Sequence, residues 1–154
     1  MNSISLADIA DAQAVLKEVL VETPTLRLKS DRWEGILPDI AGGAIKMELF
    51  QQAGSFKARG AYLGIHRLTD NERSKGVVAA SGGNHALAVA WAARKAGVSA
   101  RIAIPKAVDP VRLDGCRTMG AEVILCDDIA DAFATMETCA ADEGRTIMHP
   151  FEGQ

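Results

Sequence analysis

Seven residues, Ser55-Phe56-Lys57-Ala58-Arg59-Gly60-Ala61, place one lysine where an extended segment gives way to a helix. The run Ala44-Ile45-Lys46-Met47-Glu48-Leu49-Phe50 reads as a strand, and Gln51-Gln52-Ala53-Gly54 as the turn after it. Ser55 has the right chemistry to N-cap the helix that follows. Open α/β sheets bind ligands at the carboxyl ends of their strands, where Lys57 would stand. A lysine amine that sheds its proton forms a Schiff base with an aldehyde cofactor, and burial and the positive end of a helix both favour that loss. The competing account is a solvated lysine at a helix start.

A second stretch narrows the choice. Gly76-Val77-Val78-Ala79-Ala80 is a short apolar run of the kind a buried parallel strand needs. It leads through Ser81-Gly82-Gly83-Asn84-His85 into the alanine-rich helix former Ala86–Ala93. A turn of small residues between strand and helix lets backbone N–H groups close on a phosphate or a carboxylate. Asn84 adds an uncharged amide donor at its mouth. An ordinary tight turn is the alternative. Neither the dinucleotide fingerprint nor the lysine-bearing phosphate loop is present.

Taken together, Gly54–Ala61 and Ser81–His85 resemble the cofactor-lysine motif and the serine-glycine-asparagine-histidine loop of the fold-type II pyridoxal-phosphate enzymes. The resemblance is to the threonine/serine dehydratase branch, which includes serine racemase. His85 stands where the cysteine and threonine synthases usually carry threonine. Similarity runs from Thr23-Pro24 to His149-Pro150-Phe151. It implies pyridoxal 5'-phosphate bound through Lys57, which would also act as base at the substrate's Cα. Phe56 would pack by the cofactor ring, with plain core packing as the alternative. Asn84 would bond the ring's 3′ oxygen, and Ser81, Gly82, Gly83, Asn84 and His85 would receive the substrate carboxylate. For His85 a structural role closing the turn competes, and for Arg59 a structural salt bridge. The implied reaction is loss of the β-hydroxyl of threonine, serine or a similar amino acid, giving a 2-oxo acid and ammonia. A serine racemase-like or 3-hydroxyaspartate dehydratase-like enzyme is the neighbouring reading. Racemases of the branch carry a second serine where this chain has Gly82, and glycine transfers no proton. A nucleotide-binding Rossmann-like protein and a non-catalytic αβ binding fragment are the readings from other classes.

The elements that would position these residues alternate between strand and helix. A capping-box pattern at Ser5-Leu6-Ala7-Asp8 opens a helix reaching Leu20. Thr23–Leu28 is extended about Pro24, and residues 30–43 read as a loop. A helix from Lys57 to about Leu68 precedes a charged connector and hinge, Asp70–Lys75. Strand Val77–Ala80, helix Asn84–Ala96 stopped by Gly97, strand Ala100–Ile104, a helix begun by Pro110 and ended by Gly120, strand Glu122–Cys126, helix Ile129–Glu143 and strand Thr146–Met148 follow. The alternation implies an α/β fold: a parallel sheet with helices on both faces, in three αβα layers. The resemblance divides the chain into residues 1–69 as an incomplete part of a large cofactor domain, 70–148 as a small αβ domain, and 149–154 as the start of the return. It also implies a parent about twice this length, a homo-oligomer (dimer or tetramer) at full length. The chain would then be truncated, lacking the glycine-rich loop that holds the cofactor phosphate. Without that loop, the Gln51–Lys57 turn is expected to be displaced and Lys57 to face solvent.

Composition sets outer limits. The 154 residues are 48% hydrophobic and 24% charged with a net charge of −3, which is ordinary for a globular chain. The pI near 5.6 offers no electrostatic reason for nucleic acid or anionic membrane as partner. No apolar run is long enough to span a bilayer and no secretory leader is visible, so a cytoplasmic location is expected. Cys116, Cys126 and Cys139 lack metal-ligand spacing and read as buried reduced thiols, and no metal site is expected.

Overall fold

The computed structural model describes residues 4–28 and 43–151. Helix α1 (Leu6–Leu16) opens with the expected capping box, in which the Ser5 hydroxyl accepts from the Asp8 amide and the Asp8 carboxylate accepts from the Ser5 amide at 2.8 Å. It ends a turn earlier than its apolar spacing suggests and leaves Leu20 outside. Strands β1 (Thr25–Leu28) and β2 (Gly43–Lys46) pair antiparallel, Thr25 opposite Lys46. Both segments read as extended from the sequence, but their pairing carries no local signal. The loop expected over 30–43 lies almost wholly outside the described residues.

The strand expected to run to Phe50 stops at Lys46. A short 3₁₀ turn, Glu48–Phe50, replaces its second half, and another, Gln52–Gly54, forms within the expected turn. Helix α2 (Lys57–His66) follows, then α3 (Asp70–Lys75). The segment read as a charged connector is thus a helix, with Thr69 and Glu72 forming a reciprocal capping box.

The main sheet holds β3 (Val77–Ala80), β4 (Ala100–Pro105), β5 (Glu122–Cys126) and β6 (Thr146–Ile147) in the order β5-β4-β3-β6, all parallel. Helices α4 (Asn84–Ala96), α5 (Pro110–Thr118) and α6 (Ile129–Glu143) complete the αβ alternation. Alternating side chains separate two cores. Val77, Ala79, Ile102 and Ile104 face α4 and α5, whereas Val78, Ala80, Ala103 and Cys126 face α6. This is the three-layer arrangement the alternation implies. The three cysteines are free and buried, and no helix among the described residues is long and apolar enough to cross a membrane.

Helix α4 is packed on nearly all sides. It lies between the sheet and α2, whose Ala61 and Ile65 join the same core. Its alanines let both neighbours approach closely, and Tyr62 of α2 meets Trp91 with ring centroids 5.8 Å apart. Arg94 and Lys95 appear only in its last turn, before Gly97 ends it in the left-handed conformation.

Two glycines with positive φ differ in what surrounds them. Gly97 (φ 67°) has open space where a Cβ would lie. Gly76 (φ 87°, ψ −176°), at the entry to β3, would place a Cβ 2.7 Å from the Ser99 carbonyl oxygen, in a backbone region nearly reserved for glycine. Gly97→Ala should lower unfolding free energy by about 1 kcal/mol, and Gly76→Ala by about 3 kcal/mol. Denaturant titration of both variants checks the ranking, and equal losses would contradict it.

Candidate active site

Lys57 is the first residue of α2, and its placement is fixed from several directions. Glu48 accepts two hydrogen bonds from Arg59, at 2.7 and 2.8 Å, and a third from the Thr23 hydroxyl at 2.6 Å. The Arg59 guanidinium holds the Glu48 carboxyl down at about 2, below the usual carboxylate range. The structural salt bridge considered for Arg59 is therefore present, two residues from the lysine. Gln51, 4% exposed, pairs through its amide with both backbone groups of Val21, at 2.9 and 2.8 Å. These contacts join the N-terminal segment, the 3₁₀ turns and α2. They also correct the expectation that the 51–57 turn would be displaced. Glu48, Gln51 and Thr23 carry no motif signal, since their partners lie 11 to 30 residues away.

Ser55 does not cap α2. Phe56 holds the N-cap position, and Ser55 is extended (φ −163°, ψ 164°) and buried. Its hydroxyl oxygen is the one buried side-chain polar atom with no hydrogen-bond partner among the described residues. A buried hydroxyl without a partner costs free energy, so one at a suspected ligand site is an opening for a ligand's polar group.

The Lys57 ammonium does not simply face solvent. It donates to the Pro150 carbonyl at 2.8 Å and lies 5.7 Å from the Phe56 ring centroid and 5.8 Å from that of Phe151. Both rings are largely exposed, Phe56 at 59% and Phe151 at 84%, so core packing does not describe Phe56. Among the described residues no carboxylate pairs with Lys57. A carbonyl positions the amine without placing a counter-charge beside it.

The Ser81–His85 turn leaves the carboxyl end of β3. Ser81 Oγ accepts from the Gly83 amide at 3.1 Å, and Gly83 N-caps α4 with no side-chain cap. The Ala86 amide donates to the Gly83 carbonyl at 3.1 Å, so the amides of Asn84 and His85 are the ones at the helix head that an anion would meet. Asn84 is exposed at that end. His85 is buried, and its Nε2 lies 2.8 Å from the Met148 carbonyl oxygen, to which it donates. His85 thus holds the segment after β6, as a turn-closing histidine would. That same segment presents the Pro150 carbonyl to Lys57, so the two motifs share one anchor.

Residues 21–154 match the model of the pyridoxal-phosphate dependent enzyme family. The chain belongs to that family. It is 39% identical over 150 residues to a phenylserine dehydratase of Ralstonia pickettii, covering 96% of this chain and 44% of the relative. It is 40% identical to an L-threonine ammonia-lyase of Thermotoga maritima, covering 96% and 36%. Maize serine racemase superposes with a TM-score of 0.86 at 31% identity, over 99% of this chain and 46% of that one. The chain spans less than half the length of these relatives.

Pyridoxal phosphate suits the residues present. An aldehyde needs an amine, a flat ring needs apolar faces, and polar substituents need donors. Lys57, the exposed Phe56 ring, the orphaned Ser55 hydroxyl and the open Asn84 amide are those groups.

Burial lowers the affinity of His85 for a proton below its ordinary 6.5, and Lys57 and His149 push the same way. The unfolded chain then takes up the proton first on acidification. The contribution is whole above about pH 6.5 and is lost as pH falls below it. Glu48 acts lower, its contribution disappearing between 4.5 and about 2. Thermal midpoints should therefore fall in two stages on acidification. His85→Gln, which keeps a donor but cannot titrate, should flatten the upper stage only. An unchanged upper stage in that variant would contradict the assignment.

Proposed function

We propose that this chain supplies the lysine and the carboxylate-binding turn of an ammonia-lyase acting on a β-hydroxy amino acid such as threonine or serine. The single observation behind this is the common anchoring of Lys57 and His85 to carbonyls two residues apart, which ties the amine to the anion-receptive turn. The names of the Ralstonia and Thermotoga relatives support the same reaction class.

The site residues divide the work. The Ser81–His85 turn receives the substrate carboxylate through N–H groups at the head of α4. Phe56 covers a ring face, and Asn84 donates to the ring oxygen. Pyridoxal phosphate, when bound, withdraws electrons from Cα and so acidifies its proton. Lys57 would take that proton. The β-hydroxyl leaves as water, and a water is consumed later when the unsaturated amine hydrolyses. The net change is one amino acid to one 2-oxo acid and one ammonia. We assign residues 1–69 to a larger cofactor domain completed by further chain, and 70–148 to a smaller domain that packs over the substrate.

Full-length protein given L-threonine or L-serine should release equal amounts of 2-oxo acid and ammonia. Lys57→Ala should slow this by at least about a thousandfold, because it removes both the attachment point and the base. Ammonia release that survives the substitution would overturn the assignment, and fast accumulation of the D-amino acid would favour the racemase-like reading. The 154 residues alone, having no counterpart of the family's phosphate-holding loop, should show no saturable cofactor absorption at micromolar concentration. Stoichiometric binding with turnover would show the phosphate site to lie within them.

A further inference from the structure

Helices α2 and α4 carry the two halves of the site at their heads, Lys57 on one and the Ser81–His85 turn on the other. They run side by side in the same direction. Tyr62 meets Trp91 across the pair. Five residues back along each helix, about 7.5 Å, stand Lys57 and Ala86. At the far end one side chain bonds to both helices. Arg73 of α3 donates from Nη1 to the Ile65 carbonyl at 3.3 Å and from Nη2 to the Ala96 carbonyl at 2.9 Å. Both acceptors lie in the last turn of their helix, where carbonyls lack helical partners and carry the helix's partial negative charge. Arg73 is half-buried, and its own amide donates to the Thr69 carbonyl at 2.9 Å in the turn that the Thr69–Glu72 capping box opens.

Apolar contact alone would leave the register of the two helices soft. Ala61 and Ile65 of α2 meet the alanines of α4 in the core, and burying small side chains brings helices close without choosing one sliding position. Hydrogen bonds are directional, and a planar guanidinium holds two acceptors in one geometry. Near the substrate the helices are tied by the Lys57–Pro150 and His85–Met148 bonds. The first of these is surrendered whenever the amine is put to use. Arg73 is always charged, stands about 12 Å along α2 from Lys57, and has no such demand on it.

We propose that Arg73 is a positioning residue for the reaction: by clasping the carboxyl ends of α2 and α4 it sets the separation between Lys57 and the turn that receives the substrate carboxylate. This rests on the ammonia-lyase reading above. The turn holds one end of the substrate while the lysine must reach the proton at Cα. A change in their separation is therefore felt in binding and in proton removal alike. Arg73 belongs to the part assigned to the smaller domain and reaches back to α2 in the part assigned to the larger one, so it also fixes how the two meet away from the substrate.

The test uses full-length holoenzyme carrying Arg73→Gln, Arg73→Lys or Arg145→Gln. Arg145 is the matched control, an arginine that joins the Val77 carbonyl, Ser99 and Glu143 at 3.4, 3.1 and 2.8 Å rather than the two helices. Both glutamine variants should lose a few degrees of thermal midpoint, since each leaves carbonyls without a donor. Kinetics separate them. Assayed with L-threonine well below either midpoint, Arg73→Gln should raise KM about threefold and lower kcat/KM roughly tenfold. Arg145→Gln should stay within about twofold of wild type, and Arg73→Lys, which keeps a cationic donor at that point, should recover most of the loss. Equal kinetics in the two glutamine variants would overturn the proposal, and so would Arg73→Lys no better than Arg73→Gln. If wild type releases no ammonia, the ammonia-lyase reading falls, and amide exchange then decides the role of Arg73. Exchange quickened along α2 and α4 as far as Tyr62 and Trp91 in Arg73→Gln, and not in Arg145→Gln, is the expected result. Quickening confined to the last turns would overturn it.

Discussion

Two backbone carbonyls, those of Met148 and Pro150, are the fixed points on which the site depends. The Met148 amide donates to the Val78 carbonyl at 2.8 Å, so the segment leaving β6 stays tied to the sheet's central strand. From that segment one carbonyl takes the His85 ring and the other takes the Lys57 amine, 2.8 Å in each case. Two basic side chains 28 positions apart in sequence are thus referenced to one rigid edge. Carbonyl acceptors orient donors but carry no net charge. A carboxylate in the same place would compete with any anionic ligand.

The sheet and α4 turn that edge into a site. Parallel strands bring the β3, β4 and β6 ends to one side, where connections rather than helices meet. Helix α4 starts there and is buried along Ala86–Ala93, so its N-terminus cannot drift. On the lysine's side, Glu48 and Gln51 tie α2 and the turn before it to the N-terminal segment through charged and amide hydrogen bonds, while Ala61 and Ile65 seat the helix in the core. The two halves of the site therefore share one hydrocarbon core, to which the amine's half adds a polar network. The polar network is the part that acid weakens, through Glu48.

Most of the αβ alternation was legible because local and global signals agree. Val77–Ala80, Asn84–Ala96, Glu122–Cys126 and Ile129–Glu143 fall where apolar runs, strong helix formers and bounding glycines place them. The failures fall where tertiary contacts overrule a local pattern. Ile45–Phe50 reads as a strand, yet Glu48 must turn toward Thr23 and Arg59, so the chain coils into 3₁₀ turns. Asp70–Lys75 is too polar to show a buried face, although its capping box was there to be read. In the site, Lys57 and the Ser81–His85 turn were visible as motifs. Ser55 as an orphan and Gln51 as a clamp were not, because the clamp's partner lies 30 residues away and an unpartnered hydroxyl shows only once the surrounding chain is folded around it.

The central claim is that Lys57, among all lysines of the chain, is the amine that carries the cofactor. Borohydride reduction of the full-length holoenzyme, followed by peptide mapping of the resulting stable adduct, addresses it directly. The account predicts one pyridoxyl group per chain, on the peptide containing Ser55-Phe56-Lys57 and on no other. Labelling on Lys46, or spread across several lysines with Lys57 unmodified, would contradict it.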